Sequence, residues 1–167
     1  MRRLILAFAL AAGLMPAGDQ LALPKDYREW VFLSSGLGMT YGTGTAAAEP
    51  RFDNVFVSRA AYAGFLDKGT WPDGTMFVLE VRSSQSKASI NQGGRFQSEI
   101  EAIEAEVKTN GKWAFYGFGK GAPFATQIPA GAACYSCHAQ HGAVDNTFVQ
   151  FYPTLLTVAK EKGTLRQ

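Results

Sequence analysis

Ile103, Ala105 and Val107 alternate strictly with Glu104, Glu106 and Lys108. A period of two places the two sets on opposite faces of a β-strand. Asn110-Gly111 follows, the residue pair favoured where both central positions of a tight turn need positive φ. Beyond it Trp113, Phe115 and Gly117 oppose Ala114, Tyr116 and Phe118. The pattern predicts a hairpin across Ile103 to Phe118. Phe52 to Val57 reads as another strand, with Phe56 on the face opposite Val55 and Val57. Thr75 to Val81 reads as a third, from its length and its β-branched and aromatic residues.

Helical spacing occurs in two places. Ala61, Tyr62, Phe65 and Leu66 recur on one face between a capping Ser58 and a terminating Gly69. Phe148, Phe151, Tyr152, Leu155, Leu156 and Ala159 recur likewise near the end of the chain. Pro153 interrupts that second series, so a helix starts or kinks there, and Gly163 can stop it. Leu23 to Trp30 suggests a short helix with Pro24 in its first turn, leading into a strand at Val31-Phe32-Leu33. The glycine-rich stretch 34–50, the polar stretch 83–94 and the Gly, Ala and Pro-rich stretch 119–133 read as loops, and Trp71 to Gly74 as a turn. Residues 96–101 fit neither period. The fold class expected is α+β: predominantly antiparallel sheet with a few short helices and a C-terminal helix, and not a four-helix bundle.

The first residues have the layout of an export signal. Arg2 and Arg3 precede an apolar run from Leu4 to Met15, and small residues follow, with a cut possible after Ala17, Gly18 or Ala22. That run is short for a membrane span. The expected division is a signal peptide over residues 1–22 and one domain over 23–167, exported to the periplasm. A chain of 167 residues can bury a real core. Its net charge of +2 points to neither a nucleic-acid surface nor an acidic tail.

The only two cysteines change the picture most. Cys134-Tyr135-Ser136-Cys137-His138 has the spacing of a c-type haem attachment site. Two thiols three positions apart can form thioethers to the two vinyl groups of one haem, and the adjoining imidazole can ligate its iron. A disulfide, a thioredoxin-like pair and half of a zinc site compete with this reading. No βαβ pattern precedes Cys134, and only two histidines exist to complete a zinc site. Export agrees with haem attachment, because covalent attachment in bacteria happens outside the inner membrane. No methionine follows His138, so a sulfur ligand on the far side of the iron would come from Met39 or Met76. A lone Met in a glycine-rich loop is more often a packing residue. His141 reads as a surface or propionate-side residue, too near His138 in sequence to cross to the other haem face.

The chain resembles the cytochrome P-460 family. The likeness is carried by Leu23-Pro24-Lys25-Asp26-Tyr27-Arg28-Glu29-Trp30, by Phe65 to Thr75 with its Pro-Asp-Gly-Thr turn, by Trp113-Ala114-Phe115-Tyr116, and by the closing run. That run reads Cys134 to His138, then Asp145, then Phe148 to Pro153. The resemblance implies a largely antiparallel β domain, usually a homodimer, with one c-type haem held only through its proximal histidine. Hydroxylamine-oxidising members carry a lysine, bonded covalently to the haem, on the strand after the turn. Leu79 stands at that register here, while Lys87 falls in the next loop. Lysine-lacking relatives, the cytochromes c′-beta, keep an apolar distal pocket and bind small gases such as nitric oxide. Phe52, Phe56 and Leu79 are then the expected distal wall, with no strong donor to favour water or anions. Glu104 aligns with a distal carboxylate that accepts protons in the enzymes; by strand alternation alone it would face solvent.

Three functions follow in order. The first is a five-coordinate haem protein for a small gas or nitrogen-oxide ligand, with a possible redox partner protein. The second is an oxidoreductase acting on hydroxylamine or a related nitrogen compound, with Glu104 as base. The third is a six-coordinate electron carrier through Met39 or Met76.

Overall fold

The computed structural model describes residues 20–41 and 49–166. Residues 1–19 of the proposed signal peptide lie outside the described residues. Five strands form one antiparallel sheet: β2 (Val31–Leu37), β3 (Phe52–Val57), β4 (Met76–Gln85), β5 (Phe96–Thr109) and β6 (Lys112–Gly117), in that order across the sheet. Two three-residue strands, β1 (Gln20–Ala22) and β7 (Phe124–Thr126), pair separately. Three helices complete the domain: α1 (Arg59–Lys68), α2 (Ala133–His141) and α3 (Pro153–Lys162). The fold is α+β and mostly antiparallel, as its patterning predicts.

Local chemistry accounts for several boundaries. Ser58 caps α1 by accepting from the Ala61 amide at 3.4 Å, and Gly69 ends it at φ 72°. Asn110 and Gly111 take φ 50° and 72°, which closes β5 onto β6 with Thr109 opposite Lys112. Pro153 starts α3 rather than kinking it, because the first helical position needs no N–H. Ahead of it Val149–Phe151 forms one 3-10 turn.

Other expectations are corrected. The segment from Leu23 to Trp30 holds only a single 3-10 turn, Tyr27–Glu29. Strand β2 runs to Leu37, inside the expected loop, and β4 runs to Gln85. Residues 96–101 belong to β5, which is continuous over fourteen residues. Cross-strand pairing supplies these extensions, and a period read along one strand does not register it. Strand β7 lies in the expected loop 119–133, too short to show any period.

The sheet is covered on both faces. One face packs Leu33, Val57, Phe77 and Trp71 against Phe65 of α1, Leu155 and Ala159 of α3, and the preceding Val149 and Tyr152. On the other, Val78, Ile103, Ala105 and Phe118 meet Tyr27 and Ala125. Burial on both sides is the reason Glu106 and Lys108 do not form a solvent face, whereas Glu104 stays exposed although it lines the cavity. All three lie on the helix-bearing face, and a cavity lies between Glu104, Glu106 and α2.

Candidate haem site

Three rows of residues cross the sheet on the helix-bearing face. Val31, Val57, Phe77, Glu106 and Phe115 form the first, each paired with the next. Ser34, Val55, Leu79, Glu104 and Gly117 form the second. Gly36, Asp53, Val81 and Ala102 form the third. Residues from all three rows line a cavity of about 330 Å³, and α2 closes it with Cys134, Cys137 and His138. The motif that the sequence singles out and the strand position Leu79 therefore share one chamber.

Helix α2 carries the motif because its residues span two and a half turns from Ala133, directly after the Pro129 to Ala132 turn. The Tyr135 hydroxyl anchors that turn by donating to the Ile128 carbonyl at 3.0 Å. The two cysteines form no disulfide with each other and are partly exposed. Cys134, Cys137 and His138 fall at helical positions i, i+3 and i+4, which lie on one face.

His138 is held on three sides. Its ring is flanked by Phe115 at 4.6 Å and Phe148 at 4.4 Å between centroids. Its Nδ1 lies 3.0 Å from the Asn146 carbonyl. A carbonyl only accepts, so Nδ1 is the nitrogen that bears hydrogen and Nε2 keeps the free lone pair. Burial lowers the His138 pKa, partly offset by the bond to Asn146, a direction that favours the neutral ring a metal needs.

The Asn146 carbonyl is itself placed by an unusual turn. Asp145 and Asn146 both take positive φ, 51° and 59°. Trp113 Nε1 donates to the Asp145 carbonyl at 2.8 Å, and Lys108 pairs with the Asp145 carboxylate while donating to the Trp71 carbonyl at 2.7 Å. Thr147, fully buried, accepts from Trp71 Nε1 at 2.9 Å. Two tryptophans and a lysine thus fix a left-handed turn whose one exposed product is the acceptor for His138.

Three carboxyl groups line the cavity. Burial raises the pKa of Glu104. Burial and then the charge of Glu104 raise that of Asp53, against a smaller pull from Arg51. Burial and the nearby Asp145 push Glu106 up to about 8. Each carboxyl can hold a proton closer to neutrality than a free one does.

The expected distal residues divide. Leu79 and Glu104 line the cavity. Phe52 and Phe56 do not: with Asn54 they occupy the opposite face of β3, where Phe56 packs edge-on against Tyr27 and Phe32 at 5.7 Å. The alternation was legible, but which face held the chamber was not. Val55 and Asp53 take their place, so the wall is not wholly apolar. Lys87 lies in the exposed loop after β4 and Met76 packs with the far-face core, whereas Met39 does line the cavity. His141 is exposed at the end of α2. Sequence reasoning missed Asp53, Glu106 and Asn146. Asp53 carried a findable signal, since it alternates with Phe52 in a strand paired to the one bearing Leu79.

The residues fit a c-type haem. Both thiols and a neutral imidazole with a free Nε2 converge on one chamber, and Glu106 Oε2 is buried beside it with no hydrogen-bond partner. Among the described residues no group of three or more His, Cys, Asp or Glu side chains is arranged to hold a bare metal ion. A family model for cytochrome P-460 matches residues 24–149, a span that includes the whole motif and the strands facing it. Among curated proteins, none matches the chain.

Proposed function

The chain belongs to the cytochrome P-460 family of haem proteins, and on that premise we propose that it is an exported mono-haem c-type cytochrome that binds small gaseous ligands, nitric oxide foremost. Cys134 and Cys137 would form the two thioethers, and His138 Nε2 would be the one protein ligand to iron. Bound there, haem supplies an iron centre with one position open to a small ligand. The single observation that carries the reading is that Leu79 lines the same cavity as Cys134, Cys137 and His138. The position that bears the cross-linking lysine in the hydroxylamine-oxidising relatives is here an alkyl group. A leucine cannot make that bond, so the macrocycle stays unmodified.

The rest of the wall agrees with a neutral ligand. Val55, Leu79 and Phe77 present hydrocarbon, and the carboxyl groups of Asp53 and Glu104 disfavour anions by charge. Periplasmic location, a homodimer and a redox partner protein belong to the same proposal. We place signal cleavage ahead of Gln20, because a cut after Ala22 would remove strand β1, which pairs with β7.

A second reading is favoured by one observation: Glu104 lines the cavity beside Leu79. A carboxylate there could take protons from an N–H or O–H substrate, as an oxidoreductase for hydroxylamine requires. Met39 on the cavity wall leaves a six-coordinate electron carrier as the third.

The optical spectrum of the ferrous protein, made in a host competent for cytochrome maturation, separates them. Five-coordinate high-spin bands with an ordinary Soret position are expected. A strongly red-shifted Soret band would favour the enzyme, and a sharp low-spin spectrum the electron carrier. Colourless protein at its bare peptide mass overturns all three.

A further inference from the structure

Glu106 occupies a position where an apolar residue would be the ordinary choice. It sits on β5 between Phe77 of β4 and Phe115 of β6, and its side chain is 11% exposed. Its Oε2 is buried and makes no hydrogen bond, a rare condition for a carboxyl oxygen. Lys108, two residues along the same face, does not relieve it, since its ammonium is engaged by Asp145 and the Trp71 carbonyl. The nearest polar atom of chemical interest is His138 Nδ1, 3.3 Å from Oε2. That nitrogen already faces the Asn146 carbonyl at 3.0 Å.

We infer that Glu106 Oε2, 3.3 Å from Nδ1 but outside hydrogen-bond geometry in this structure, becomes a second acceptor for the Nδ1 hydrogen when His138 holds the iron, and that it acts through His138 as a positioning residue that tunes the iron. The inference rests on the haem reading above, with His138 as ligand. An imidazole bound through Nε2 must keep its hydrogen on Nδ1, and acceptors at Nδ1 raise the basicity of Nε2. One N–H shared between a backbone carbonyl and a carboxyl oxygen is a stronger donor arrangement than the carbonyl alone provides. Greater donation toward iron favours the ferric form and stiffens the iron–histidine bond. The Phe115 and Phe148 rings flanking His138 keep the imidazole from rotating away from either acceptor.

The test uses holoprotein and two variants, Glu106→Leu and Glu106→Gln, each checked for haem content. The readouts are the midpoint potential and the iron–histidine stretching frequency of the ferrous protein. Glu106→Leu is expected to shift the potential upward and the stretch to lower frequency. Glu106→Gln keeps a neutral acceptor oxygen at the same place and is expected to fall between. If Glu106→Leu retains haem and moves neither readout, the inference is overturned. If Glu106→Leu does not mature, Glu106→Gln decides: a lowered stretching frequency supports the role and an unchanged one overturns it. Wild-type protein without covalent haem would instead overturn the underlying reading, so the two failures are distinct.

Discussion

Gly142 lies against the backbone of Asn146, the residue whose carbonyl holds the imidazole of His138. A Cβ at Gly142 would come within 2.6 Å of the Asn146 Cα and 2.7 Å of the His138 carbonyl oxygen. Both neighbours are backbone, so neither can swing aside as a flexible side chain would. The φ of Gly142 is an ordinary −66°. Space, not conformation, is what the missing side chain provides here.

Gly142→Ala should therefore push the 143–147 segment away from α2 and lengthen the bond between Asn146 and His138. A cost of about 1–3 kcal/mol is expected from overpacking. Denaturant unfolding of wild type and variant measures it, and haem content per protein reports whether the iron ligand is displaced. Equal stability with full haem content would show that the segment tolerates the methyl group.

Leu79→Lys places an amine on the cavity wall, at the position that the proposed register matches to the lysine of hydroxylamine-oxidising members of the family. After treatment with peroxide, the variant is expected to develop a red-shifted Soret band that wild type never shows. An unmodified haem spectrum in the variant would mean that the side chain at position 79 does not reach the macrocycle edge.

Glu80 gives the fold an acid-sensitive clasp on the face of the sheet opposite the cavity. Its carboxylate is buried, with 3% of the side chain exposed, and accepts from Tyr27, Arg28 and Arg82. Burial alone would raise its pKa, but the hydrogen bonds from Arg82, Tyr27 and Arg28 outweigh that and lower it. The unfolded chain then binds the proton more readily, so this contribution is present above the unfolded pKa, about 4.3, and is lost as pH falls through the lower folded value. Glu80→Gln is expected to cost about 2 kcal/mol at pH 7, the worth of a hydrogen bond to a charged group. The gap between variant and wild type should narrow at pH 3, as thermal unfolding at the two values would reveal. A gap that stays constant would remove Glu80 from the acid response.

Trp71 ties both ends of the domain together. It is 2% exposed, packs on Phe65 at 4.3 Å and Phe77 at 4.7 Å, and donates to Thr147 across 76 positions of sequence. Trp71→Ala should cost about 3–5 kcal/mol. Trp71→Phe should cost less but leave the Thr147 hydroxyl without its donor. Chemical denaturation of the two variants separates packing from the hydrogen bond, and a Phe variant as unstable as the Ala variant would assign most of the cost to the bond.

Much of this molecule is written locally. The Cys134 to His138 spacing, the Asn110-Gly111 turn, the Ser58 cap and the Pro153 helix start each depend on residues within one turn of one another. Steric and hydrogen-bonding preferences at that range act before any tertiary contact forms, so the chain alone determined them. The Cys-x-x-Cys-His spacing, the hairpin and the α+β class were legible for that reason.

What the sequence left open is which side of a strand meets which partner. Phe52 and Phe56 look like cavity residues and lie on the far face, while Asp53 and Glu106 look like solvent residues and line the chamber. A period of two separates two faces but does not rank them when both are covered. Only the placing of α2 over one face of the sheet, with Tyr135 and His138 against Phe115 and His138 beside Glu106, decided where the chamber would be. The same placing brought Glu106 within reach of His138, thirty-two positions away, a distance in sequence over which no local preference can act.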